Sequence, residues 1–245
     1  MNSNPTLYAG IDGGGTKCSA VLFDHKGEVV GKGIAGPANA ARDLAGTLRS
    51  IVCAIELALQ QSNLSDIALS QIKVGAGLAG AFVPSVRQQL LAWSHPFADF
   101  AVHSDLKAAC FGAHSGKDGA LLIVGTGSSA ARLQDGQLTQ LGGHGFLLGD
   151  KGSGAWFGRS AVSSTLEAGD GIISVSELHK QVLSTLAVKN NTQLLQAMLN
   201  ASASEFAALA PLVIDLAKQD EPTALALVAE GVTYLDTLCQ QTLLN

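Results

Sequence analysis

Hydrophobic positions in the first half of the chain fall into short apolar runs broken by glycine, and between them into longer stretches at helical spacing. Residues 7–12 read as a buried strand, Gly13, Gly14, Gly15 and Thr16 as a tight turn, and residues 19–23 as the returning strand. A second turn around residues 25–27 leads to a third strand over 29–35. Leu44, Leu48, Ile51, Ile55 and Leu59 then recur every three or four residues, which predicts an amphipathic helix over 41–61 with one face on the sheet. Strands over 72–76 and 100–103 alternate with helices over 83–93 and 106–113, so the order is βββαβαβα.

The opening unit then returns. Residues 120–124 form a strand, Gly125, Thr126, Gly127 and Ser128 a turn, residues 129–133 a strand, and Asp135 and Gly136 a hairpin leading to residues 138–141. A plan begun twice predicts two similar α/β domains facing each other across a cleft, covering residues 1–116 and 117–245. The alternative is two unrelated glycine hairpins within one domain. After Gly154 strand signals vanish, and helices are expected over 155–166, 175–186, 192–199, 205–218 and 222–244. The second domain thus carries a helical insertion, or its sheet is left unfinished at Asn245.

Composition narrows the functions available. With 47% hydrophobic and 14% charged residues, the 245-residue chain has the apolar mass for one large core or two smaller ones. A net charge of -5 without a lysine/arginine cluster argues against nucleic acid as a partner. Cys18, Cys53, Cys110 and Cys239 are far apart, so no zinc knuckle or compact disulfide framework is read, and the reduced cytoplasm is the expected location. The opening MNSNPTLYAG lacks a basic segment followed by an apolar stretch, and no run approaches the roughly 20 apolar residues of a membrane helix, so neither export nor a membrane partner is expected.

The glycine turns suggest where chemistry could sit. Glycine leaves backbone N–H groups open to a phosphate, Thr16 adds a hydroxyl, and Asp12 could hold a hydrated magnesium ion. Neither a Walker loop nor a dinucleotide-binding turn matches, since a strand follows the glycines. Lys17 could touch a phosphate or face water. Asp105, after the strand over 100–103, reads either as a helix-capping or first-turn aspartate or as a general base. The glycine-rich stretch 142–154 is a shaped loop, either structural with Ser153 as a helix cap or a ligand loop in which His144 and Asp150 grip hydroxyls. His103 and His114 have no partner at metal-ligand spacing and read as incidental.

Taken together, these motifs resemble the BadF/BadG-type ATPases within the actin, Hsp70 and sugar-kinase superfamily, especially the N-acetylglucosamine and glucosamine kinases among them. The resemblance spans nearly the whole chain and implies two ribonuclease H-like, actin-like ATPase domains. Gly10 to Lys17 is similar to a first phosphate motif and implies that Gly13, Gly14, Gly15, Thr16 and Lys17 hold ATP phosphates, with Asp12 on Mg2+ through water. Thr126, Gly127 and Ser128 are similar to a second phosphate motif, and Ser104 with Asp105 to the position of the catalytic aspartate. The loop through Gly143, His144, Gly145 and Asp150 is similar to one placed against the sugar, and Asn39 aligns with a sugar-contacting asparagine. Asn39 and Asp150 lie in segments apart from the glycine turns, so both are expected to act on the sugar and not on ATP.

The implied activity is transfer of the γ-phosphoryl group of ATP to N-acetylglucosamine or glucosamine, at the 6-hydroxyl, with a homodimer as a candidate assembly. Two alternatives are a dehydratase-activating ATPase, which would need convergent cysteines for an iron–sulfur cluster, and a non-catalytic sugar sensor. One departure stands out: the sequence ends at Asn245 without the strand, Gly-Gly turn and closing helix with which such kinases usually finish, so the functional product is expected to extend further.

Overall fold

A computed structural model describes residues 7–244; residues 1–6, part of the opening segment read above for export signals, and Asn245 lie outside the described residues. The chain divides into two compact units, Met1–Lys117 and Asp118–Asn245. The described part of the first is built on five strands, β1 (Leu7–Gly13), β2 (Cys18–Phe23), β3 (Val29–Ala35), β4 (Ile72–Leu78) and β5 (Asp99–Ser104), in the order β3-β2-β1-β4-β5. β1, β2 and β3 pair antiparallel through tight turns, whereas β4 joins β1, and β5 joins β4, in parallel through helical crossovers.

Helix α1 (Leu44–Gln61) covers one face of this sheet, with Ile51, Ala54, Ile55 and Ala58 fully buried. Burial of each isoleucine contributes roughly 1.5–3 kcal/mol, far more than the helix gains from propensity. The helix starts at Leu44 and not at residue 41, because the Asp43 side chain accepts from the Gly46 N–H at 2.8 Å and sets the N-cap there. Helix α2 (Pro84–Leu91) and helix α3 (Asp105–Ala113) complete the unit.

In the second unit β6 (Gly119–Val124), β7 (Ser128–Gln134) and β8 (Gln137–Gly142) form an antiparallel sheet in that order. Like β1 and β2, the first two strands join through a glycine turn. The remainder is helical: α4 (Gly154–Gly169), α5 (Glu177–Thr185), α6 (Asn191–Met198), α7 (Ala203–Ala207), α8 (Ala210–Ala217) and α9 (Pro222–Leu244). The single helix expected over 205–218 is in fact two, broken at Ala208 and Leu209, with Pro211 in the first turn of α8. A proline there lacks only an N–H that the first turn would leave unpaired, so it opens the second helix instead of interrupting one. No helix among the described residues is long and apolar enough to cross a membrane.

The helical core centres on α4, against which α5 places Leu178, Val182 and the 2% exposed His179. The His179 Nδ1 accepts from the Ser176 N–H at 2.9 Å, so Nε2 carries the proton and donates to the Ser164 Oγ, also at 2.9 Å. Burial holds this imidazole below the usual histidine range, against the opposing pull of the Glu221 carboxylate. Protonation would turn the Nδ1 acceptor into a second donor facing an N–H. The folded state therefore binds fewer protons than the unfolded chain near its ordinary value of about 6.5, and the stability from neutral His179 is full above that value and falls as pH drops below it. We expect the thermal midpoint to fall between pH 7 and pH 5, and the fall to be shallower in His179→Gln. An equal slope in the variant would show that other groups carry the dependence.

Candidate functional site

The parallel register of the first unit assembles a row across three strands, because Asp12 pairs with Gly77 and Gly77 with His103. The neighbouring row, Ile11, Ala76 and Val102, is buried in the core. Alternation along each strand therefore turns Asp12 to the other face, where α3 lies. At Gly77 the approach is close: a Cβ there would sit 2.5 Å from the Ala108 methyl and 3.6 Å from the Asp105 Cα. Glycine in mid-strand is thus what lets α3 bring Asp105 down beside Asp12. Asp12, Asp105 and His103 all line one cavity of about 670 Å³ whose remaining wall is mostly apolar.

Both carboxylates are solvent-accessible. Ser104 is the N-cap of α3, its Oγ accepting from Lys107 N–H at 3.2 Å, while Asp105 is the first helical residue and its Oδ1 accepts from the adjacent Leu106 N–H at 2.8 Å. Burial holds His103 below the usual histidine range, and the charges of Lys107 and Arg87 act in the same direction. His103, read as incidental in the sequence, thus belongs to the same cavity.

The first glycine turn is closed by Gly14 N–H donating to Lys17 carbonyl at 2.9 Å, and the outer face of Gly15 meets nothing within 4 Å. Thr16 and Lys17 are exposed on it. Beneath the turn the buried Cys18 thiol is pushed up to about 11, by burial first and then by the Asp12 charge, so it stays protonated as a core residue. Carboxylate oxygen beside open backbone N–H groups suits a hard cation and phosphate oxygens, so Asp12 and the turn fit a hydrated magnesium ion and a phosphate. Asn39 is no separate segment. The Ala38 N–H donates to the Gly14 carbonyl at 2.8 Å and Asn39 bridges to Ala79, placing Asn39 against the first turn, where its Oδ1 accepts from Arg42 N–H at 3.2 Å.

The second turn is fastened still more firmly to the loop that follows β8. Gly154 and Ala155 N–H groups donate to the Gly125 and Thr126 carbonyls at 2.8 and 3.1 Å, which also satisfies two N-terminal amides of α4. Gly143 N–H donates to Ser128 carbonyl at 3.0 Å, and the Ser128 hydroxyl donates to Lys151 carbonyl at 2.9 Å. Ser128 is 2% exposed, so its single O–H is committed to the loop. Asp150, buried and at φ +59°, accepts from Gly145 N–H at 3.2 Å through Oδ1, and its Oδ2 lies 2.7 Å from where a Cβ on Gly127 would be. The expected separation of Asp150 from the glycine turn therefore fails, because hydrogen bonding of loop amides and carbonyls to the turn leaves the two in contact. Gly143, His144 and Gly145 are exposed at the loop's outer side, and Ser153 caps α4 by accepting from Trp156 N–H at 3.2 Å.

Sequence reasoning missed a groove of about 520 Å³ beside this turn, where Gly125, Thr126 and Gly154 meet Pro211 and Ile214 of α8 and Lys218 at its C-cap. No local pattern marks residues so distant in the chain as neighbours.

Known proteins resemble this chain. A glucosamine kinase of Vibrio cholerae, GspK, is 41% identical over 165 residues, 67% of this chain and 56% of its own length, so the match spans little more than half of that relative. An N-acetyl-D-glucosamine kinase of Dictyostelium discoideum is 27% identical over 248 residues, 95% of this chain and 78% of its own. A solved structure from Chromobacterium violaceum, assigned as an N-acetylglucosamine kinase, superposes with a TM-score of 0.87 at 29% identity, covering 96% of this chain and 82% of that one. The α/β fold is accordingly the actin-like one the motifs implied. A family profile extends the likeness from residue 9 to residue 242, across both glycine turns, the Asp12 and Asp105 face and the shaped loop: the chain belongs to the BadF/BadG/BcrA/BcrD ATPase family.

Proposed function

We propose that this chain transfers the γ-phosphoryl group of ATP to an amino sugar, N-acetylglucosamine or glucosamine, at its 6-hydroxyl. The observation that carries the reading is the placement of Asp105 and Asp12 in one cavity, at the carboxyl ends of the parallel strands β5 and β1 on either side of β4, where ligands of open α/β sheets bind. The names of the Vibrio and Dictyostelium relatives support the acceptor.

In this reading Asp105 takes the proton of the sugar hydroxyl as it attacks. Gly13, Gly15, Thr16 and Lys17 on one turn, which the Gly14 N–H keeps closed, and Thr126 and Gly127 on the other, offer donors to the phosphate oxygens; Ser128 adds its backbone N–H and keeps the loop in place with its side chain. The groove beside the second turn receives the rest of the nucleotide. Asp12 would hold a hydrated magnesium ion, which would supply positive charge to the phosphoryl oxygens. Asn39, Gly143, His144, Gly145 and Asp150 hold the sugar. Much of the rate then comes from positioning and preorganised donors, since phosphoryl transfer asks little covalent chemistry of the protein.

ADP release measured against a panel of hexoses and amino sugars tests the proposal, and turnover of neutral hexoses in preference to both amino sugars would overturn it. Asn39→Ala is expected to raise the sugar KM about tenfold, the effect of losing one or two hydrogen bonds, with the ATP KM within twofold. Asp150→Asn should raise both constants, the sugar's more, because Asp150 is wedged between the loop and the second turn. A larger rise for ATP in both variants would mean that the two ligands have been assigned to the wrong residues.

A further inference from the structure

The loop between His144 and Asp150 carries a tip, Phe146, Leu147 and Leu148, whose two leucines are 80% and 90% exposed. An exposed apolar tip on a glycine-flanked loop has little to hold it. Two ties come from within: Leu148 and Gly149 N–H groups donate to the Gly145 carbonyl at 3.2 and 2.8 Å. The third comes from outside. Arg159, on the second turn of α4, donates from Nη1 to the Phe146 carbonyl at 2.9 Å and, at a longer 3.4 Å, to the Leu147 carbonyl. Its guanidinium also stacks over the Phe146 ring, 5.3 Å from the centroid, and that ring packs on Phe206 of α7 at 5.1 Å.

None of the ion pairs among the described residues involves Arg159. Its charge is therefore directed at loop carbonyls, where a charged donor makes a stronger bond than a neutral one. The planar fork matters too, because it can bridge successive carbonyls while lying on an aromatic face, which a lysine ammonium cannot do. α4 itself is anchored by its first amides to the second glycine turn. Arg159 thus ties the tip to the same helix that fixes the turn.

We propose that Arg159 is a positioning residue for sugar binding: it touches no ligand itself, and holds the 144–150 loop in the conformation that presents His144 and Asp150. This rests on the reading of that loop as the sugar loop. Without the tie, the loop must be ordered when the sugar arrives, and the ordering cost weakens the sugar and not the nucleotide.

The test compares the 245-residue chain with R159M, which keeps much of the stem's bulk without donors, and R159K. Calorimetry measures binding of glucosamine, N-acetylglucosamine and MgATP, and hydrogen exchange follows the amides of residues 145–149. R159M is expected to weaken the bound sugar about tenfold, equal to about 1.4 kcal/mol, to leave MgATP within twofold, and to speed exchange in the loop. R159K should restore part of the sugar affinity. Failure of the unmodified chain to bind either sugar would overturn the sugar-loop reading and this inference with it. A binding-competent parent whose R159M variant binds sugar equally well, or loses sugar and MgATP alike, would overturn the inference alone.

Discussion

Asp105→Asn is expected to lower turnover by a factor on the order of 10² to 10⁴, the range for a positioned base, while leaving sugar binding largely intact. The fold separates this expectation from the capping alternative that the sequence left open. Ser104 supplies the N-cap side chain of α3, whereas the Asp105 side chain accepts from its neighbour's amide, so the helix keeps its cap in the variant. What it loses is a first-turn negative charge, worth roughly 0.3–1 kcal/mol at an exposed position. That loss cannot account for a thousandfold fall in rate. Steady-state kinetics, sugar affinity and thermal midpoint measured together decide the matter: near-normal turnover with a lowered midpoint would reduce Asp105 to a helix-terminus charge.

Gly158→Ala should destabilise the second unit by about 1–3 kcal/mol, the usual cost of forcing a methyl into a filled space. Helix propensity alone predicts the opposite, a gain of roughly 0.8–1 kcal/mol. The outcome turns on packing. Gly158 lies near the start of the second turn of α4 where α7 packs, and a Cβ there would collide with the Phe206 carbonyl oxygen and lie 2.6 Å from its carbon. Backbone cannot rotate away as a side chain could, so α4 and α7 must separate. Urea denaturation reads the effect as a lower midpoint, and a raised midpoint would show that the two helices do not pack as described.

Most of the first unit was legible because each cue is local. Glycine turns, short apolar strands and the spacing of Leu44, Leu48, Ile51, Ile55 and Leu59 are each set within about a dozen residues. Boundaries were less so: α1 opens where Asp43 caps it, and the break before α8 depends on how Phe206 and Leu209 pack in the helical core. Asp12 and Asp105 could be singled out, but not their proximity, which depends on Gly77 admitting α3 to the sheet. Nor could the sequence reveal that Ser128 bonds Lys151, 23 positions away, or that Asn39 abuts the first turn. Contacts of that range come from tertiary packing, which sets Asn39 and Asp150 against the glycine turns and not apart from them as expected.

The stitching of the second turn to the 142–154 loop makes them one mechanical piece. A phosphate that stills Thr126 and Gly127 would still Gly154 and Ala155 through the same hydrogen bonds, and the loop through Ser128 and Asp150. Two ligands held by that piece share the ordering cost of the turn and of the loop residues bonded to it, though not that of the 146–148 tip, so whichever arrives first spares the other part of it. Linkage requires the favour to be returned by an equal factor. Under the proposed assignment, nucleotide and sugar would each tighten the other's grip through the shared piece, and an empty enzyme would hold either of them more loosely than the ternary complex does.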